Sequence, residues 1–223
     1  MVKKNSQKNI TTVSFDIDGT LFSNSFNDYI WEIRIPELFA KKEGISFNEA
    51  ERFVLNEYRK VDENSLTWSN IFYWFKYFNL NEDPLDIIYR SKNRLEKYKE
   101  VDSAIEKLSK NYNLIVFSAA PREFIDIKLN FDSLGTYFSN IFSVASDFRK
   151  YNTIHKEPAM YLEICEKIGC KPENLAHVGD SINSDYYNPK SIGINAFFLN
   201  RDSKTKIDNE IRNLNELVEK LNY

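Results

Sequence analysis

Cysteine is almost absent from this chain of 223 residues. Its two thiols, Cys165 and Cys170, have neither redox nor zinc spacing, and no other thiol exists to complete a metal site. Cys165 falls on the apolar stripe of a helical pattern and reads as core filling, and a reducing cytoplasm is the expected home. A basic patch is also missing. Lys and Arg number 30 against 33 Asp and Glu, a net charge of −3, and the two signs are interspersed, which argues against a nucleic-acid partner. No apolar run approaches the ~18 residues of a membrane span, so no membrane partner is expected. The first residues, 1–9, are polar and lack the apolar stretch of a signal peptide. Repeats and low-complexity tracts are absent.

What the chain does have is a composition of 42% hydrophobic and 28% charged residues, that of a globular protein. Its length suits one domain, or one domain with a large insert. Aromatic residues make up 15%, and they concentrate between Trp68 and Phe78.

The chain is organised around Thr11–Leu21. Val13-Ser14-Phe15 begins a short buried strand that stops at Asp16, because aspartate is a poor strand residue. Asp16 therefore lies at a strand's carboxyl end, where open α/β sheets bind ligands. Gly19 permits a turn that brings Asp18 back over that end. From about Phe22 to Lys99 no strand is expected. Helical spacing runs through Ile30, Ile33, Leu38, then Ala50, Phe53 and Val54. Pro36 is expected to break or kink the first helix. Ser46 and Glu49 form a capping box, and Asp83-Pro84 opens a later helix carrying Ile87, Ile88, Ser91, Leu95 and Tyr98. The aromatic run reads as the core of a small bundle rather than as a pocket.

From Val101 strands alternate with helices. Asn113–Phe117 is an apolar strand stopping at Ser118, and Pro121 opens a helix to about Leu129. Ile141–Ala145 is a short strand, and Pro158 starts a helix ended by Gly169. Asn174–Val178 is a strand running into Gly179-Asp180-Ser181, and Ile194–Leu199 is another. A final amphipathic helix is expected over Asp208–Leu221. This alternation argues for an α/β fold with a parallel sheet and right-handed crossovers, which sets Asp16, Ser118 and Asp180 on one edge.

Asp16 and Asp180 can hold one Mg²⁺ from two strands, with the Asp18 carbonyl added, since Mg²⁺ takes hard oxygen ligands and leaves positions for a phosphate. Ser118 and the amides after it can meet an anionic oxygen, and Lys156, just before a helix, can neutralise a phosphoryl group. A carboxylate nucleophile, a second carboxyl, a metal and a lysine are what phosphoryl transfer through an aspartyl-phosphate needs.

In motif order the chain resembles the haloacid dehalogenase-like (HAD) hydrolase superfamily. Phe15-Asp16-Ile17-Asp18-Gly19-Thr20-Leu21 resembles its first motif, Phe117-Ser118 its second, Lys156 its third, and Val178-Gly179-Asp180-Ser181-Ile182-Asn183-Ser184-Asp185 its fourth. The resemblance implies a Rossmann-like parallel-sheet core, residues 1–21 and 100–223, with an inserted all-α helical cap domain of the first type, residues 22–99. It implies Asp16 as nucleophile and Asp18 as general acid/base. It implies Mg²⁺ on Asp16, the Asp18 carbonyl and Asp180, and phosphoryl contacts from Ser118, the Ala119 amide and Lys156. Asp185 would support the metal through its waters or orient Lys156. The aspartate at position 18 favours a phosphatase over a dehalogenase, so the expected substrate is a small phosphorylated metabolite. Alternatives are a phosphomutase, a phosphonate hydrolase with a cap lysine (Lys41 or Lys42), or a binding relative without turnover. Two departures stand out. Ala119 replaces a polar residue common in the second motif, and His155-Lys156-Glu157-Pro158 leaves His155 as a rival to Lys156. His177, inside a strand, reads as a satisfied core histidine, and Asn188-Pro189 as a structural turn.

Overall fold

Six short strands form one parallel sheet in the order β3-β2-β1-β4-β5-β6. They are β1 (Thr12–Phe15), β2 (Asn113–Ser118), β3 (Asn140–Ser143), β4 (Leu175–Gly179), β5 (Asn195–Leu199) and β6 (Glu210–Ile211). This computed structural model describes residues 9–202 and 207–221. The polar stretch read at residues 1–9 therefore lies outside the described residues except for Asn9.

The strands are mostly apolar because both faces of the sheet are covered, and the polar residues they bury, such as Ser14, Ser118 and His177, gather toward the site. Along β2 the side chains alternate between two cores. Leu114 and Val116 join Val13, Phe15 and Val178, whereas Ile115 and Phe117 join Met160, Tyr161 and Ile164. Helices α6 (Val101–Ser109), α7 (Arg122–Leu129) and α11 (Leu214–Leu221) bury their apolar stripes in the first core, and α9 (Pro158–Ile168) fills the second, Cys165 included. Two one-turn helices, α8 (Val144–Asp147) and α10 (Asn188–Ser191), complete this part. Chain order runs from β1 outward to β3 and then returns to the other side of β1 at β4. The switch point between β1 and β4 is where such sheets open a ligand crevice.

Between β1 and β2 the chain makes an all-helical insertion: α1 (Ser25–Asp28), α2 (Ile35–Glu43), α3 (Phe47–Tyr58), α4 (Ile71–Tyr77) and α5 (Pro84–Arg90). It leaves and returns through paired backbone, with Ser23 N–H on the Glu96 carbonyl at 2.8 Å and Tyr98 N–H on the Leu21 carbonyl at 3.1 Å. The capping box at Ser46 and Glu49 forms, and Asp83 caps Leu85 N–H. The aromatic run packs as core only in part: Trp74, Phe75 and Phe78 are buried, whereas Phe72 and Tyr77 are exposed and Trp68 lines a cavity.

Several expectations are corrected. Pro36 does not break its helix. A π-helical stretch, Tyr29–Arg34, precedes it, with Ile35 N–H bonding five residues back to Ile30, and this wider turn lets the helix run on through the proline. The helix begun at Pro84 stops at Arg90 rather than carrying on to Tyr98, because the Ser91 hydroxyl takes the Ile87 carbonyl and a 3₁₀ turn follows. The third strand ends at Ser143, whose hydroxyl caps α8. The final helix begins only at Leu214, since Ile211 pairs with Leu199 as an edge strand.

Candidate active site

Asp16 is the first residue past β1, and its amide still bonds to the Val178 carbonyl of β4 at 2.9 Å. That bond fixes its backbone in the switch-point crevice while freeing the side chain. The carboxylate is buried, and its Oδ1 accepts from Lys156 Nζ at 2.6 Å. Lys156 donates at 2.5 Å to Asp185 Oδ1 as well. Lys156 comes from the loop before α9. Its carbonyl is held by Asn188 Nδ2 at 2.8 Å, so the Asn188-Pro189 segment, expected as a turn, is instead the start of α10 and a brace for the lysine loop. Asp185 takes two further protein donors. Its Oδ1 also meets His177 Nε2 at 3.0 Å, its Oδ2 accepts from Ser181 N–H at 2.9 Å, and His177 Nδ1 reaches Ser14 Oγ at 3.0 Å. His177 is a satisfied core histidine, and it supports the residue that supports Lys156.

Burial pushes the Asp16 carboxyl up to about 7, and Asp185, Asp180 and Asp18 push it the same way against the pull of Lys156. Burial also works against ionised Asp185 and Lys156, but each is overcome by its partners. Asp185 ends below the carboxylate range, and Lys156 ends above the usual lysine value. Burial lowers His177, with Asp185 opposing. Oxygens of Asp16, Asp180 and Asp185 lie within 4.8 Å of one another. Three carboxylates thus face one ammonium, a cluster short of positive charge and rich in hard oxygen donors, which fits a divalent cation such as Mg²⁺.

Two glycines make this crowding possible. Gly19 has φ +71°, and a Cβ there would stand 2.0 Å from Asp180 Oδ2. A Cβ on Gly179 would stand 2.3 Å from the Asp185 carboxylate. Any side chain at either position would drive a carboxylate out of the cluster.

Asp18 takes a different environment. Its Oδ1 accepts from Lys128 Nζ at 2.6 Å, and the same ammonium donates to Asn27 Oδ1 at 2.9 Å. Asp18 also lines a cavity of about 150 Å³ with Asn27, Trp31, Trp68, Ala119 and Phe124. Asn27, Trp31 and Trp68 continue into a groove of about 680 Å³ lined by residues of the insertion. Trp31 stacks on Phe124 with centroids 5.8 Å apart and planes 6° from parallel. Ser118 ends β2 buried, its Oγ accepting from Ala120 N–H at 3.3 Å, and Ala119 lies on the cavity wall. His155 points elsewhere, with Nε2 2.6 Å from Asn64 Oδ1 of the insertion. Lys42 is tied to Glu43 and to the Phe78 carbonyl, and neither it nor Lys41 lines these two cavities. Sequence reasoning missed Lys128 and Asn27. The signal was available: Lys128 falls on the same face as Phe124, Ile125 and Leu129, and a lysine on a buried stripe needs a partner.

The haloacid dehalogenase-like hydrolase family model matches residues 10–187. The chain belongs to this family, and it is a hydrolase with the Rossmann-like core of the class. Among related proteins, GMP/IMP nucleotidase YrfG of Escherichia coli (strain K12) is 22% identical over 174 residues, 78% of this chain and 76% of that protein. The HAD phosphatase from Thermococcus onnurineus superposes with a TM-score of 0.81 at 29% identity, covering 95% of this chain and 98% of that one. The HAD-hydrolase YfnB from Bacillus subtilis, in a structure bound to magnesium, gives a TM-score of 0.65 at 19% identity, covering 96% and 99%.

Proposed function

We propose that this chain is a Mg²⁺-dependent phosphatase that hydrolyses a small phosphomonoester through an aspartyl-phosphate on Asp16. One observation carries the reading: two aspartates two residues apart sit in different environments. Asp16 lies in the buried, lysine-held cluster, whereas Asp18 faces an aromatic cavity. A nucleophile and an acid need such a division of labour.

Asp16 attacks the phosphorus and the bond to the leaving oxygen breaks. Asp18 gives its proton to that oxygen as the alcohol departs. In the second half Asp18 takes a proton from water, whose oxygen attacks the phosphorus and frees Asp16 and inorganic phosphate. Lys156, Ser118 and the Ala119 amide hold the phosphoryl oxygens. Asp16, Asp180 and the Asp18 carbonyl would hold Mg²⁺, which supplies positive charge to those oxygens when bound. Both Asp185 oxygens already accept from protein donors, which suits it to orienting Lys156 rather than to ligation.

The helical insertion, residues 22–99, acts as the cap. Its Trp31 and Trp68, with Phe124 of the core, form the surface on which the leaving group rests. Flat aromatic faces suit a nucleobase, and the E. coli relative is a GMP/IMP nucleotidase, so purine nucleoside monophosphates head the substrates to try. The test is phosphate release from 4-nitrophenyl phosphate and a panel of phosphorylated metabolites including GMP and IMP, with Mg²⁺ or EDTA. Release that needs metal is expected, and no release from any compound overturns the reading.

A further inference from the structure

Lys128 is completely buried, yet its side chain ends in a polar amine and it lies on a helix whose other inward residues are apolar. Packing alone does not call for it, since a methionine would fill the same slot without the cost of burying an ammonium. Its stem and head lie beside Phe26 and Phe124, the Nζ 5.5 and 5.8 Å from the ring centroids. Its hydrogen bonds go to two groups, Asp18 Oδ1 and Asn27 Oδ1. One belongs to the proposed acid. The other sits on α1, the first helix of the insertion.

We infer that Lys128 is a positioning residue for Asp18: by clamping Oδ1 it sets the rotamer that leaves Oδ2 to serve the leaving oxygen, and through Asn27 it links that rotamer to the seat of the cap. The inference rests on the phosphatase reading. Three further features support it. Asp18 Oδ2 takes no protein donor among the described residues, and the Asp18 side chain keeps 22% exposure while Lys128 keeps none. Asp18, Asn27 and Phe124 line the same cavity, so the clamp stands at the wall where the alcohol departs. The α1 helix continues directly into the stretch carrying Trp31, so a movement of the cap that shifts the aromatic wall also shifts Asn27.

The test separates this role from a purely structural ion pair. Aryl phosphates leave without a proton, whereas alkyl phosphates need one, and kcat/KM reports the step in which the leaving group departs. Lys128→Met should lower kcat/KM at least ~10-fold on the best alkyl phosphate and under ~3-fold on 4-nitrophenyl phosphate, a fraction of the ~10²–10⁴ that general acid catalysis supplies. In an Asp18→Asn background the same substitution should cost nothing further on the alkyl substrate, because Lys128 acts through Asp18. Equal losses on both substrates, or losses that multiply in the double variant, overturn the inference. Should Lys128→Met not fold, Asn27→Ala carries the test: a loss of about 3-fold on the alkyl phosphate alone is expected, at the lower end of couplings between neighbouring groups, and an unchanged ratio overturns the inference. A wild-type enzyme active on aryl phosphate alone sinks this role for Lys128 and leaves the phosphatase reading standing. A wild-type enzyme active on neither sinks both.

Discussion

The two halves of the candidate site are built from opposite materials. At the strand ends, Asp16, Lys156, Asp185, His177 and Ser14 form one buried chain of hydrogen bonds, in which nearly every polar atom has a fixed partner. Across the crevice the insertion offers Trp31, Trp68 and Tyr58, rings that meet one another mainly through ring faces and edges, with one hydroxyl bond from Tyr58 to the Trp31 carbonyl. Directional networks hold atoms to tenths of an ångström, as a reaction requires, and the loss of one member leaves its neighbours stranded. Ring stacks tolerate sliding and replacement. Under the proposed function, the difference gives rate to the first half and choice of leaving group to the second.

The sharpest way to break that division is Asp16→Asn. It keeps the shape and removes the proposed nucleophile, so turnover on every substrate should fall at least ~10³-fold, the scale on which an essential nucleophile acts, with the melting temperature little changed. Phosphate release in steady state checks it, and near-normal rates would end the nucleophile assignment.

Lys156→Met comes next and should hurt in two ways. Turnover should drop about 10²-fold or more, as for other groups that stabilise charge in the transition state. Stability should fall as well, because Asp16 and Asp185 lose their shared cation in a buried site, and breaking such a pair costs about 3–5 kcal/mol. Mg²⁺ should restore part of the melting temperature. A variant as stable as wild type in EDTA would show the network to be looser than its distances imply.

In the second half, Trp68→Ala should act selectively. KM for the preferred substrate should rise about 10-fold, an amount in keeping with the loss of ~1–3 kcal/mol of stacking per base, while 4-nitrophenyl phosphate turnover stays within about 2-fold, since the Asp16 side is untouched. Equal losses on both substrates would make the insertion part of the catalytic apparatus and blur the contrast.

The same contrast decides what was legible in the sequence. Strand ends could be read because a buried apolar run that stops at an aspartate has few explanations, and Gly19 and Gly179 mark where backbone and carboxylates crowd. That Asp16, Lys156 and Asp185 meet in one cluster follows from the parallel topology. At Lys128 the lysine on an apolar face could be read, but its partners could not, because they stand 110 and 101 residues away. Two local features were unreadable for another reason. The π-helical turn ahead of Pro36 and the two-residue strand at Ile211 are tertiary solutions, a widened turn and an edge pairing, that leave no periodicity.

The smallest effect tests whether the insertion truly lacks a polar network of its own. Its one buried carboxylate, Glu57, is held by Lys60 Nζ at 2.5 Å and by the Tyr77 hydroxyl at 2.6 Å. These hydrogen bonds, that of Lys60 first, keep its carboxyl below the usual glutamate value. The sign follows from linkage. A carboxylate whose folded pKa is depressed adds stability that is fully present above its unfolded value of 4.5 and is lost as pH falls through the folded value. All three tryptophans, Trp31, Trp68 and Trp74, lie in the insertion, so tryptophan fluorescence reports on this half. Glu57→Gln should lower the denaturant midpoint of that signal slightly at pH 7, and the gap to wild type should close as pH drops below 4.5. Lys60 is largely exposed, so solvent screens its share and the gap stays small. A gap that persists unchanged at low pH would mean that Glu57 acts through shape rather than charge. The insertion would then be apolar in its energetics throughout, and the contrast with the strand ends sharper still.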